Sequence, residues 1–196
     1  MFEVLNSPAF LHHIFQYLGD AFGLSELALL LSRRSGGGAS SQDAGSLRLL
    51  WAVIIGSILG GIFSSISVAA AYSPLLTRLV PIGVALYLIG MILRWYAILY
   101  LGRFFTVNVA IAADHRVIDT GPYKYIRHPS YSGALLIFLG MGISFQNWLG
   151  LAVLLIPTTL AFLWRINVEE QALRGALGEA YVNYSARTRR LIPGVY

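Results

Sequence analysis

Between His128 and Trp164 the chain runs for 37 residues without a charge, counting His as neutral, and a dense polar motif stands at each end. Before the run comes Gly121-Pro122-Tyr123-Lys124-Tyr125-Ile126-Arg127-His128-Pro129-Ser130-Tyr131-Ser132-Gly133, and after it Arg165-Ile166-Asn167-Val168-Glu169-Glu170-Gln171-Ala172-Leu173. As one helix the run would extend ~55 Å, too long for a single pass through a hydrocarbon core of ~30 Å. The pattern therefore predicts a hairpin that turns near Gln146-Asn147 and returns both polar motifs to one membrane face. A second charge-free run, Leu49 to Thr77, is long enough for a full crossing, and Leu79 to Leu93 continues past Arg94 into Trp95 to Gly102. Five apolar helices are expected, at about 8–31, 48–72, 79–101, 131–146 and 148–165. The last two are short for independent crossings and fit either a tilted or a re-entrant hairpin.

Composition supports an all-α, polytopic integral membrane protein. The chain is 57% hydrophobic and 12% charged, where globular proteins average about 25% charged. The first helix holds His12, His13, Asp20 and Glu26, which places these groups at the interface or against other helices. Its N-terminus lacks a basic region and a cleavage site, so a removable signal peptide is not expected. Ser35 to Gly45 reads as a flexible linker. The expected organisation is an N-terminal transmembrane helix (1–34), a linker (35–46), further transmembrane helices (47–103) and a catalytic region (104–196). Within that region Phe105, Val107, Val109 and Ile111 hint at a short extended piece. From Asn167 onward, Leu173, Leu177, Ala180, Tyr181 and Tyr184 can share one face of a separate cytosolic helix. Gly56 and Gly60 form a GxxxG pattern suited to close helix packing.

The absence of cysteine excludes disulfides, thiolate metal sites and a cysteine nucleophile. Four histidines without close ligand spacing argue against a metal site. Fourteen Arg and Lys against nine acids give +5, clustered at 33–34, 103, 116–127 and 187–190. The positive-inside rule puts these ends in the cytoplasm, with Arg48, Arg78 and Arg94 fitting less neatly. Basic residues at a membrane face mean topology and anionic lipid rather than nucleic acid.

Arg165 and Glu169 stand i, i+4 on one helix face, with Glu170 about 100° away. Taken alone, charges at a helix exit are ordinary anchors, and Tyr123, Tyr125 and Tyr131 would suit an aromatic belt. What favours chemistry is the second cluster, returned to the same face by the hairpin.

These residues resemble a family. Gly-Pro-Tyr-x-Tyr-x-Arg-His-Pro-Ser-Tyr-x-Gly, an apolar hairpin, Arg-x-x-x-Glu-Glu-x-x-Leu, then Gly178-Glu179-Ala180-Tyr181-x-x-Tyr184 and a terminal Arg-Leu-Ile-Pro are similar to isoprenylcysteine carboxyl methyltransferases and the related membrane phospholipid methyltransferases. The resemblance spans about residues 80–196. It implies S-adenosylmethionine held in a cytosol-facing pocket without a soluble nucleotide-binding domain. His115, Arg116, Val117 and Ile118 would line the cofactor, and Tyr123 with His128, Pro129, Ser130 and Tyr131 would complete its shell. Glu169 would hold a polar part of the cofactor, Arg165 the acceptor group, and Glu170 would support them. A further polar position falls at Asn108 or Ala110. The implied acceptor is a prenylated cysteine or a similar lipophilic acid reaching the pocket from membrane lipid.

Such a carboxylate is ionised at neutral pH, so no general base is required. Arg165 can clamp it bidentately and stays charged. The runner-up, a phospholipid amine N-methyltransferase, would need a neutral amine, hence a base or a shifted amine pKa. A nicotinamide-dependent membrane reductase would need longer polar loops. A scaffold or small transporter would rely on Asp20 and Glu26 as intramembrane polar groups.

Overall fold

In the computed structural model, residues 8–32, 44–105, 107 and 116–196 are described. They form six α-helices: α1 (Pro8–Ser32), α2 (Ala44–Ser67), α3 (Pro74–Leu101), α4 (Pro129–Ser144), α5 (Trp148–Leu177) and α6 (Glu179–Arg187). Short 3₁₀ turns at Ala69–Ala71, Gly102–Phe104 and Gly121–Lys124 connect them, and no strand occurs among the described residues. Four helices, α1, α2, α3 and α5, are long and apolar enough to cross a membrane; α4 is apolar but only 16 residues long. The chain is a polytopic helical membrane protein, as its apolar runs predicted.

Local chemistry explains the boundaries. Pro74 occupies the first turn of α3, and the Ser73 hydroxyl accepts from the Leu76 N–H at 3.3 Å. That cap starts α3 five residues ahead of the expected 79, and α2 ends at Ser67 instead of 72. Pro129 opens α4, where its missing N–H leaves no bond unmade. The hairpin turns where expected: Gln146 takes a left-handed φ of 54°, and the Asn147 side chain caps α5 by accepting from Gly150 N–H at 2.9 Å.

The expected break near Asn167 is absent. α5 runs unbroken from Trp148 to Leu177, ending at Gly178, whose φ of 54° turns the chain into α6. Residues 165–174 are ordinary helix formers, and the first residue suited to a positive φ at a helix end is that glycine. Leu173 and Leu177 therefore belong to α5, and Tyr181 and Tyr184 to α6. The linker expected over 35–46 also ends early, since α2 already begins at Ala44. Most of the extended piece expected over 105–111 lies outside the described residues.

Packing pairs α3 with α4 and α2 with α5. α3 and α4 touch at glycines seven residues apart on each helix. A Cβ at Gly133 would meet the Gly90 carbonyl at 2.6 Å, and one at Gly83 the Gly140 carbonyl at 3.0 Å. In the GxxxG pair, a Cβ at Gly60 would meet Val153 at 3.0 Å, whereas Gly56 faces open space. α1 joins through Phe22 against Phe138 (5.9 Å), a Tyr87 hydroxyl donating to the Leu18 carbonyl (2.8 Å), and a buried ion pair, Glu26–Arg94. At one end of the bundle the two turns meet, with Ser73 N–H donating to the Gln146 carbonyl at 2.8 Å. The other end gathers the end of α1, the start of α2, the end of α3, the start of α4 and the exit of α5.

Candidate active site

At that second end, α4 starts and α5 leaves the apolar bundle side by side, so the two polar motifs meet. The Tyr131 hydroxyl donates to Glu169 at 2.8 Å, and His128 Nε2 lies 3.4 Å from Glu170. The His128 and Tyr131 rings stack, with centroids 5.6 Å apart and planes 12° from parallel, and Tyr131 in turn rests on Phe162 at 5.2 Å. Behind them the segment following α6 pairs with the segment preceding α4: Arg127 N–H donates to the Arg189 carbonyl at 2.7 Å and His128 N–H to the Arg190 carbonyl at 3.0 Å.

One cavity opens among these groups. Arg116, Val117, Ile118, Tyr123, His128, Ser130, Tyr131, Arg165 and Glu169, all candidates named from the sequence, line it. His115, Asn108 and Ala110 lie outside the described residues. Pro129 is buried as the first residue of α4 without lining the cavity, and Glu170 does not line it either. Instead Glu170, 2% exposed, accepts from Arg127 Nε at 2.7 Å and from Arg190 Nη2 at 3.1 Å. It ties α5 to the pre-α4 loop and to the tail.

Arg165 is buried within α5, donating to the Ser46 hydroxyl and, at 3.0 Å, to the Val107 carbonyl. Its guanidinium thus links α2 and the α3–α4 connection to the cavity wall. Two further charged groups face the cavity, Arg94 and Glu26. Arg94 Nε and Nη2 donate to the two Glu26 oxygens at 2.6 and 2.7 Å, and Nη1 donates to the Ser130 carbonyl at 3.2 Å. Neither was assigned a site role from sequence, although a charge within an apolar helix is the signal that could have found them.

The cavity continues into the bundle as an apolar arm lined by Phe22, Leu29, Leu50, Trp51, Phe138 and Phe162. Nothing in the sequence marked it, because α1, α2 and the hairpin each contribute only a residue or two per turn. At the other end Leu173, Leu177, Tyr181 and Tyr184 close the wall. Burial pushes the hydroxyls of Tyr123, Tyr181 and Tyr184 well above the ordinary tyrosine range, so all three stay neutral. Among the described residues no cluster of His, Asp or Glu could hold a metal ion.

Residues 83–175 match the model of the Isoprenylcysteine carboxyl methyltransferase (ICMT) family. The matched segment takes in α4, Arg165, Glu169 and Glu170. The chain is 33% identical over 115 residues to protein-S-isoprenylcysteine O-methyltransferase B of Arabidopsis thaliana, a match covering 58% of each protein. It is also 31% identical over 121 residues to the cobalt-zinc-cadmium resistance protein CzcN of Cupriavidus metallidurans, covering 62% of this chain and 50% of that one. Its fold resembles the solved structure of the eukaryotic intramembrane Ras methyltransferase ICMT, with TM-score 0.61 and 26% identity, over 76% of this chain and 53% of that one. The chain thus spans little more than half the length of these relatives.

Proposed function

We propose that this protein is a membrane methyltransferase that uses S-adenosylmethionine to methylate the carboxylate of a prenylated cysteine or a similar lipophilic acid. The observation that carries the reading is the convergence of Arg165, Glu169, Tyr131 and His128 on one cavity that is polar at the bundle end and apolar deeper in. The family match and the relatives named for this reaction support it.

The donor set fits the cofactor's chemistry. Glu169 offers an anionic oxygen to cationic or hydroxyl groups, His128 and Tyr131 offer polar edges on a stacked aromatic wall, and aliphatic and tyrosine side chains frame the rest. When bound, S-adenosylmethionine supplies a methyl group on a positive sulfonium. The protein's task is alignment, because the acceptor is already anionic and no proton need be removed before reaction. Arg165 would hold the acceptor carboxylate by paired N–H donors. Glu169, fixed by the Tyr131 hydroxyl, would hold the donor. Glu170 acts as a positioning residue, since it locks Arg127 and Arg190 behind His128. The apolar arm would take the acceptor's hydrocarbon tail, and membrane lipid is its route of entry.

Orientation follows from charge. The end holding the site carries Arg48, Arg103, Arg116, Lys124, Arg127, Arg174, Arg187, Arg189 and Arg190, whereas Arg78 lies near the other turn. The positive-inside rule turns the site toward the cytoplasm.

The reading is tested by incubating detergent-purified protein with labelled S-adenosylmethionine and either a prenylcysteine analogue or an ethanolamine phospholipid. Transfer to the first alone is expected. Transfer to the phospholipid alone would make the runner-up correct, and transfer to neither would remove both.

A further inference from the structure

Four tyrosines line the cavity: Tyr123, Tyr131, Tyr181 and Tyr184. Three of their hydroxyls are engaged within the protein. Tyr123 donates to the Ala97 carbonyl at 3.1 Å, Tyr131 to Glu169 at 2.8 Å and Tyr184 to the Tyr123 carbonyl at 2.8 Å. The fourth is different. Tyr181 is 3% exposed, and its hydroxyl has no hydrogen-bond partner among the described residues. A buried hydroxyl without a partner forfeits about 1–3 kcal/mol relative to a satisfied one, so such a group in a cavity wall marks where a ligand completes the bonding. Phenylalanine would fill the same space without that penalty.

The surroundings say which part of a ligand belongs there. Tyr181 stands on α6 against Tyr184, rings 5.9 Å apart, and shares its end of the cavity with Leu173 and Leu177. The walls there are aromatic and aliphatic, which suits a flat heterocycle with a polar rim, and the carboxylates acting on the hydroxyl, Glu170 and Glu169, stand on α5. Glu169 and Arg165 are there to meet a ligand's ammonium and carboxylate. Resting on the cofactor assignment above, we infer that Tyr181 is a ligand-binding residue whose hydroxyl hydrogen-bonds the nucleoside part of the methyl donor. α6 thereby acts as the nucleoside wall of the site, and the turn at Gly178, φ 54°, is what aims it.

The test is calorimetric binding to the full chain in detergent with two probes: S-adenosylhomocysteine, and 5′-methylthioadenosine, which keeps the nucleoside and lacks the amino-acid part. Tyr181→Phe is expected to weaken both by about five- to tenfold, the effect of one net hydrogen bond. The unliganded variant should melt at or above the wild-type temperature, because no protein hydrogen bond is lost. Equal affinity of variant and wild type for both probes would overturn the inference. Weakening confined to S-adenosylhomocysteine would also overturn it, by moving the contact to the amino-acid end. A lowered melting temperature of the free variant would show that the hydroxyl has a structural partner and remove the premise. If the wild type binds neither probe, the cofactor assignment itself fails, which is distinguishable from failure at Tyr181 alone.

Discussion

Arg165, Glu169 and Glu170 sit within six residues of one another, yet they face different surroundings. Arg165 and Glu169 face the cavity, while Glu170 faces Arg127, His128 and Arg190 behind it. The expected kinetics differ accordingly. Arg165→Ala should keep affinity for S-adenosylhomocysteine but lose turnover by roughly 100-fold, since it misplaces the acceptor alone; single-turnover assays and binding titrations read the two separately. Glu170→Ala leaves Arg127 buried without its carboxylate, a change of about 3–5 kcal/mol in stability. It should lower the melting temperature in detergent strongly, with cofactor affinity falling only as the fold loosens. At this scale the sequence was informative because the hairpin returns two polar clusters to one face, whereas charges at a single helix exit are ordinary. It put Glu169 on the face of Arg165 and Glu170 about 100° away, but it could not show that Glu170 meets Arg127 and Arg190, which come from other segments.

The helices make those placements possible through contacts that no local pattern announced. Gly90 and Gly133, on α3 and α4, bring the two backbones together beside Arg94: a Cβ at Gly133 would meet the Arg94 N at 2.7 Å as well as the Gly90 carbonyl. Backbone atoms cannot move aside as a side-chain tip can. Gly133→Ala is therefore expected to push α4 outward and lower both thermal stability and cofactor affinity, whereas Gly56→Ala, facing open space, should leave both unchanged. The sequence marked the GxxxG of α2, but the seven-residue spacing in α3 and α4 falls in two separate segments and becomes a motif only when they pair.

Glu26 and Arg94 are a second case. Each is a charge within an apolar helix, and together they fasten α1 to the start of α4 through Ser130. Glu26→Ala strands a buried guanidinium and should destabilise by about 3–5 kcal/mol, while replacing both partners by leucine should restore much of the loss. Thermal melts of the single and double variants in detergent decide it. The hairpin turn and the start of α4 were legible because Asn favours a helix cap and Pro a helix's first turn.

At the scale of the molecule, two bundle ends differ in chemistry: one is closed by the turns around Ser73 and Gln146, and the other holds the site and most of the basic residues. The chain has no cysteine, so single reporters are unambiguous. A cysteine replacing Val195, 74% exposed beside the site end, should react with a membrane-impermeant maleimide only after the cytoplasmic face is opened, and one replacing Ala70 at the far turn should react from outside. The reverse pattern would invert the orientation. The membrane class and the one-sided meeting of the motifs could be read from run lengths alone; the apolar arm could not, because a cavity shared among α1, α2 and the hairpin exists only after packing.

The proposed function requires two distant charged motifs to close around one small molecule. Titration of wild type and Glu169→Ala with S-adenosylhomocysteine tests this most directly. Saturable binding by the wild type, weakened at least about tenfold in the variant, the scale of one lost charge-assisted hydrogen bond, is the predicted result. No saturable binding, or equal affinity of the two proteins, would contradict it.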